Sequence, residues 1–312
     1  MQLSTLEYEK AGPVATLTLN RPGSANAISP RMRDEIDLVI DDLDTDDDIR
    51  VVIVKANGRH FCAGYDMGGS SRAGADGSGA GYARERHADP PSLIRRRYHL
   101  SRERWMRLWR VRQVTIGAVH GSCLAGGVDL IGALDLVFAA DDARIGQPQS
   151  RCMGELHIFG HWPLHLGMRR TKEWLFTGDS MTGAEAAQLG LVNRAVPADE
   201  VVAVATAYAE RVANVPLEML YLHKDAVHRW YDAMGIAAAM AGANDLDAMG
   251  VTGNTMSEFG RRLEQDGLAS ALQWRDGPFR EHRTYWQAYE ATKSEATKSP
   301  SKSATRTTPT GD

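Results

Sequence analysis

The sequence predicts an α/β fold in which a buried sheet is interleaved with helices. Two observations carry that expectation. Short apolar runs rich in β-branched residues recur at Val51 to Val54, Thr115 to Val119 and Leu136 to Ala139, as in strands covered on both faces. Segments with helical spacing and helix-start chemistry lie between and after them, which places helices against such a sheet.

Residues 3–9 and 14–19 read as a strand pair, so a hairpin opens the chain. The second strand alternates Ala15, Leu17 and Leu19 against Val14, Thr16 and Thr18, the pattern of a half-buried strand. Ser29 before Pro30 is a helix start, and Met32, Ile36, Val39, Ile40 and Leu43 then share one face. The acidic run Asp41 to Asp48 ends that helix. Eight arginines fall between Arg95 and Arg112 with Glu103 the only acid, while Tyr98, Trp105, Leu108 and Trp109 share a face, so an amphipathic helix is expected there. Thr182 and Glu185 have the spacing of a capping box, Gly190 closes the helix they start, and Val192 to Val196 reads as a short strand. From Asp199 onward the pattern is almost entirely helical. Gly68 to Gly81 and Thr292 to Asp312 hold few large apolar side chains to offset their ordering entropy, which predicts a long internal lid and a disordered tail. The expected organisation is a core over 1–200, a helical region over 201–290 and the tail over 291–312.

The 312 residues are 43% hydrophobic and 24% charged, ordinary globular usage, and suffice for one large domain or two smaller ones. A net charge of −4 and a pI near 6.2 give no global attraction to nucleic acid or an anionic membrane, so any anion site must be a local patch. Cys62, Cys123 and Cys152 form no C-x-x-C pair and leave an odd count, which fits reduced thiols in a cytoplasm. The first residues lack a basic segment leading into an apolar run. The most apolar stretch, Leu124 to Ala140, is interrupted by Asp129 and Asp135, and neither export nor a membrane span is expected.

Two glycine turns carry the functional signal. One run ends in Ala63-Gly64-Tyr65-Asp66 and another in Ala125-Gly126-Gly127 before a helix, and both leave N–H groups at turns where glycine permits close backbone approach. Two such donors can share one oxygen. Together with Asn20-Arg21-Pro22, Asn26-Ala27, Phe61-Cys62, Gly121 to Asp129, Ile145 to Pro148, Phe176 to Gly178 and Leu189 to Val192, taken in order, these turns resemble the enoyl-CoA hydratase/isomerase (crotonase) superfamily over roughly residues 5 to 230.

The resemblance implies a ClpP-like spiral of ββα units followed by a helical C-terminal region that packs between subunits, as a homotrimer or dimer of trimers. It implies an acyl-CoA substrate, with coenzyme A part of that substrate and no tightly bound cofactor. The N–H groups of Tyr65 and Gly126 would grip the thioester oxygen as an enolate forms, and losing one such donor elsewhere costs about 3 kcal/mol. The Ala63 carbonyl would meet the adenine, with Arg21, Gly64 and Asp66 at the coenzyme A end. Guanidinium groups suit phosphates, so Arg95 and Arg96 are candidates for the nucleotide, the alternative being ion pairs with neighbouring subunits.

Proton handling departs from the family pattern. Hydratases of the family place one glutamate shortly after the glycine pair and one after Gly-Gln-Pro; here those positions hold Asp129 and Gln149. An amide does not exchange a proton at neutral pH, so Gln149 can orient a water or ligand but not act as general acid or base. Glu155 and His157, just downstream, are candidates to replace the missing carboxylate. Asp129 alone suits proton shuttling of the isomerase kind, and Asp129 with Glu155 or His157 restores two-group chemistry. His157, His161 and His165 are spaced by four, but Gly160 and Pro163 interrupt the helix a metal triad would need, and no metal is expected. The expected activity is that of an enoyl-CoA hydratase in fatty-acid or related acyl-CoA catabolism. The alternatives are an isomerase or a carbon–carbon lyase or hydrolase using the same enolate, and a non-catalytic acyl-CoA-binding protein.

Overall fold

The computed structural model describes residues 1–67, 90–152 and 162–298, with side chains in the last helix followed as far as Arg280. The expected lid at Gly68 to Gly81 lies outside the described residues, as do Glu155 and His157.

The chain opens with β1 (Leu6–Ala11) and β2 (Val14–Leu19), paired antiparallel. Helix α1 (Pro30–Thr45) follows, capped by the Ser29 hydroxyl accepting from the Met32 N–H at 3.1 Å, and ends inside the acidic run. Its predicted face, Met32, Ile36, Val39, Ile40 and Leu43, is buried. Next come β3 (Val51–Ala56), α2 (Pro91–Arg110), β4 (Val114–Val119), β5 (Ser122–Leu124), α3 (Gly126–Gly132), β6 (Leu136–Ala140) and β7 (Arg144–Gly146). After α4 (Trp162–His165) and α5 (Gly167–Thr177) the chain forms β8 (Ser180–Thr182), α6 (Gly183–Leu189) and β9 (Arg194–Val196). Four helices finish it: α7 (Val201–Val212), α8 (Leu217–Ala233), α9 (Ile236–Gly250) and α10 (Asn254–Lys298), the last kinked at Gly267.

The strands form two sheets. The larger has the order β1-β2-β3-β4-β6-β9, and all its pairs beyond the opening hairpin are parallel. The smaller has the order β5-β7-β8. Parallel neighbours need crossovers, and the helices between them cover the sheet, which is why β3, β4 and β6 are apolar on both faces. No described helix is long and apolar enough to cross a membrane.

Three local departures from the sequence reading have physical causes. The first strand begins at Leu6 because Ser4 and Thr5 give their N–H groups and hydroxyls to the Glu35 carboxylate at 2.5–2.9 Å rather than to a ladder. The strand expected from Val192 begins at Arg194, since the Leu191 and Val192 N–H groups close the end of α6 on the Ala186 carbonyl. Helix α10 runs through Lys298, so the segment from Thr292 to Lys298 is helical rather than tail, and 299–312 lie outside the described residues.

Charged groups fasten helices to the core. On α8, Lys224 is buried against β4, its ammonium 2.7 Å from Asp135 and 3.0 Å from the Gln113 carbonyl. Burial pulls this lysine below its ordinary pKa, and Asp135 opposes the fall. The arginines of α2 and its end pair within the chain: Arg104 and Arg107 with Asp37, Arg107 also with Asp41, Arg112 with Asp47 and Arg95 with Asp245.

Candidate active site

Three chain segments run side by side and end at one edge. Cys62 bridges Cys123 in parallel, its N–H donating to the Ser122 carbonyl and its carbonyl accepting from the Leu124 N–H, both at 2.9 Å. Strand β5 in turn pairs parallel with β7, and the Ala125 N–H reaches the Gly146 carbonyl at 3.0 Å. Tyr65, Gly126 and Gln149 each follow one of these aligned segments by a few residues. Residues far apart in sequence therefore leave the small sheet on the same side.

The two glycine turns touch. Gly64 has φ +103°, and a methyl group there would lie 2.7 Å from the Ala125 Cβ, 3.2 Å from the Leu124 carbonyl oxygen and 3.5 Å from the Gly126 nitrogen. Only a residue without Cβ allows both the conformation and the approach. The peptides flanking Tyr65 are fixed by the Ile28 N–H donating to Gly64 at 2.8 Å and the Asp66 N–H donating to Ile28 at 3.1 Å. Across from it, Ala125 adopts φ 51°, ψ −121°, a region that costs an L-residue about 1–3 kcal/mol. That distortion turns the chain from β5 into α3 and puts Gly126 at the first helical position, where no carbonyl one turn back can accept from its N–H. Strain of this kind persists only where surrounding contacts over-determine the backbone.

Beside the turns sits Asp129, 2% exposed, on the first turn of α3. The Tyr65 hydroxyl is 3.2 Å from its Oδ2, and the Trp105 indole N–H donates to that hydroxyl at 2.9 Å. The Tyr65 ring crosses Gly126 so closely that a Cβ there would meet three ring carbons at 2.8–3.1 Å. Gln149 is also buried, and its amide N–H donates to the Gln147 side-chain oxygen. The Gln149 Oε1 and Gln147 Nε2 atoms have no hydrogen-bond partner among the described residues.

The remaining expected residues divide clearly. Arg21 and Asp66 meet each other at 2.9 Å, with Arg21 also donating to the Ala27 carbonyl at 2.5 Å, so the pair braces the first turn from below. Ala63 is exposed and its N–H is bound to the Ala25 carbonyl. Arg95 and Arg96 are exposed on α2, and Arg95 holds Asp245 at 2.6 Å, a contact it would have to loosen to meet a phosphate. Arg151, just past Gln149, donates to the Thr177 carbonyl, pairs with Asp179 and Asp276 at 2.9 and 3.1 Å, and lies 4.3 Å from the Phe279 ring centre. Cys62 and Cys123 are buried beneath the turns; burial pushes the Cys62 thiol up to about 12 and Cys123 up as well, so neither is a nucleophile. Sequence reasoning assigned Tyr65 only its backbone, and Trp105 a place on an apolar face or in a pocket wall but no polar contact. Nothing in the spacing of residues 65, 105 and 129 announces that their side chains meet.

The family model described as enoyl-CoA hydratase/isomerase matches residues 9–255. The chain belongs to this family. It is similar to EchA13 of Mycobacterium tuberculosis, a protein whose name assigns it provisionally to the enoyl-CoA hydratases, with 33% identity over 249 residues, 74% of this chain and 75% of that one. It also resembles the peroxisomal Delta(3,5)-Delta(2,4)-dienoyl-CoA isomerase of Arabidopsis thaliana, 31% identical over 180 residues that cover 57% of this chain and 63% of the isomerase. Among solved structures, an enoyl-CoA hydratase from Mycobacterium smegmatis superposes with a TM-score of 0.79 at 30% identity, covering 89% of this chain and 94% of that one. The fold is thus the crotonase fold, α/β with a helical C-terminal region, and the family processes acyl-CoA thioesters.

Proposed function

We propose that the chain is an enoyl-CoA hydratase-type enzyme that stabilises a thioester-derived enolate between the N–H groups of Tyr65 and Gly126, with Asp129 as the acid–base group. The observation that carries this reading is the contact between the Gly64 and Ala125-Gly126 turns, with a buried carboxylate one helical turn further on. Amides fixed before substrate arrives need no reorganisation as negative charge develops on the thioester oxygen, the condition under which an oxyanion hole is most effective. In that arrangement Asp129 exchanges the proton at the α or γ carbon, or assists water at the β carbon. The coenzyme A portion is read as passing the exposed Ala63, with Arg95 or Arg96 near its phosphates.

One observation favours a second reading, double-bond isomerisation. Gln149 supplies an amide where two-carboxylate hydration needs an acid, and its N–H is turned to Gln147. A single carboxylate suffices to carry a proton between two carbons of an enolate. Incubation with crotonyl-CoA and longer enoyl-CoAs in heavy-oxygen water distinguishes the two. Hydration puts the label on the β carbon; isomerisation moves the double bond and incorporates none. Acyl-CoA binding without solvent exchange of the α proton would reject both and leave a binding protein.

A further inference from the structure

We propose that Tyr65 acts twice: its backbone belongs to the oxyanion site, and its side chain, held by Trp105, fixes the Asp129 carboxylate for proton transfer. This inference rests on the enolate reading of the site. It assigns Tyr65 and Trp105 as positioning residues for the acid–base group.

The direction of the network follows from the groups themselves. An indole N–H can only donate, so the phenol oxygen must accept from Trp105, which is wholly buried and holds that N–H 2.9 Å away. The single phenol proton then remains for Asp129, 3.2 Å off, and a carboxylate can only accept. Trp105 thus orients the hydroxyl, and the hydroxyl orients the carboxylate. Without a tether the last torsion of an aspartate is broad, so its oxygens sweep a wide arc. The hydrogen bond to Oδ2 narrows that arc.

The ring's path explains Gly126 a second time. To reach Asp129 from position 65, the phenol crosses the face of Gly126, where any side chain would collide with three ring carbons. One residue thereby joins the donor that holds the thioester oxygen to the group that moves the proton, and fixes their separation. Proton transfer is sensitive to such placement, because an error of about 1 Å can cost roughly a hundredfold.

The test measures deuterium exchange at the α carbon of butyryl-CoA in heavy water, a readout common to hydration and isomerisation, together with the half-saturating thioester concentration. Tyr65→Phe keeps the backbone N–H and the ring, and is expected to slow exchange at saturation roughly ten- to a hundredfold with half-saturation unchanged. Trp105→Phe is expected to slow it roughly three- to tenfold with the same split. In an Asp129→Asn background, Tyr65→Phe costs nothing further, since there is no carboxylate left to place. Wild-type exchange in Tyr65→Phe, a loss confined to half-saturation, or a full extra loss on top of Asp129→Asn overturns the inference while leaving the enolate site intact. Wild-type exchange in Asp129→Asn removes the acid–base assignment itself, and this inference with it.

Discussion

Replacing Gly64 by alanine probes the convergence of the two turns. The added methyl would sit 2.7 Å from the Ala125 Cβ, against about 3.5–4.0 Å for carbon atoms in contact, so the turns must part by about 1 Å. The φ of +103° adds strain of about 1–3 kcal/mol that no side-chain movement relieves. Parting the turns moves the Tyr65 and Gly126 N–H groups off a shared oxygen, and loss of one oxyanion donor costs roughly 10²–10³ in turnover. The expected result is a kcat/KM on an enoyl-CoA lowered roughly 10²–10³-fold in a protein that still folds. Gly12→Ala is the matched control: φ is +56° there, but a methyl meets nothing within 4 Å. It is expected to lower stability by about 1 kcal/mol and to leave turnover unchanged. Steady-state kinetics and thermal melts of both variants decide the matter. A folded Gly64→Ala enzyme within threefold of wild type would refute the shared-oxygen geometry, as would an equal activity loss in Gly12→Ala.

Three further outcomes follow from named contacts. Burial by itself would raise the Glu35 carboxyl, but hydrogen bonds from Thr5 and Ser4 outweigh it and hold the group at about 2. Its stabilising contribution, on the order of 3 kcal/mol, is complete above its ordinary value near 4.5 and is lost as pH falls through about 2. Urea unfolding should therefore show a gap between wild type and Glu35→Gln at pH 7 that closes in acid; a gap independent of pH would contradict this. Gln149→Glu supplies a second carboxylate, and the Gln147 amide can turn its N–H toward it. Heavy-oxygen incorporation is expected to rise about tenfold or more, and no rise means the second proton-handling group lies elsewhere. Lys224→Met removes the ammonium from the part-buried Asp135 carboxylate, which keeps its Thr115 hydrogen bonds, and is expected to cost about 2–3 kcal/mol in denaturant unfolding, partly restored by Asp135→Asn in the same chain; a loss below about 1 kcal/mol would show the pair to be unimportant.

The parts of this protein written locally were legible in its sequence. Strand periodicity at Val14 to Leu19, the Ser29-Pro30 start and the Thr182–Glu185 capping box depend on neighbours a few residues away, and each element formed where expected. The glycine turns were legible for the same reason, because the conformation of Gly64 and the close approach to it depend on its own missing side chain. Contacts across long separations were not. The Trp105–Tyr65–Asp129 chain joins residues on α2, the first turn and α3, and an aromatic residue on an apolar face looks alike whether or not its N–H finds a partner. The pairing of α2 arginines with aspartates of α1 was equally hidden, since an arginine-rich helix suits a phosphate, another subunit or its own chain. At Gln149 the sequence revealed the loss of a carboxylate, but not that Gln147 would take up the amide.

Arg151 ties the short 3-10 turn Pro148–Arg151, which bears Gln149, to the close of α5 and, through Asp276 and Phe279, to the far helix of the chain. That guy-rope makes the distal helix an outrigger for the Gln149 turn. Shortening the protein ahead of Asp276 would slacken the Gln149 turn more than a hundred residues upstream, and C-terminal fusions or trims belong beyond Arg280.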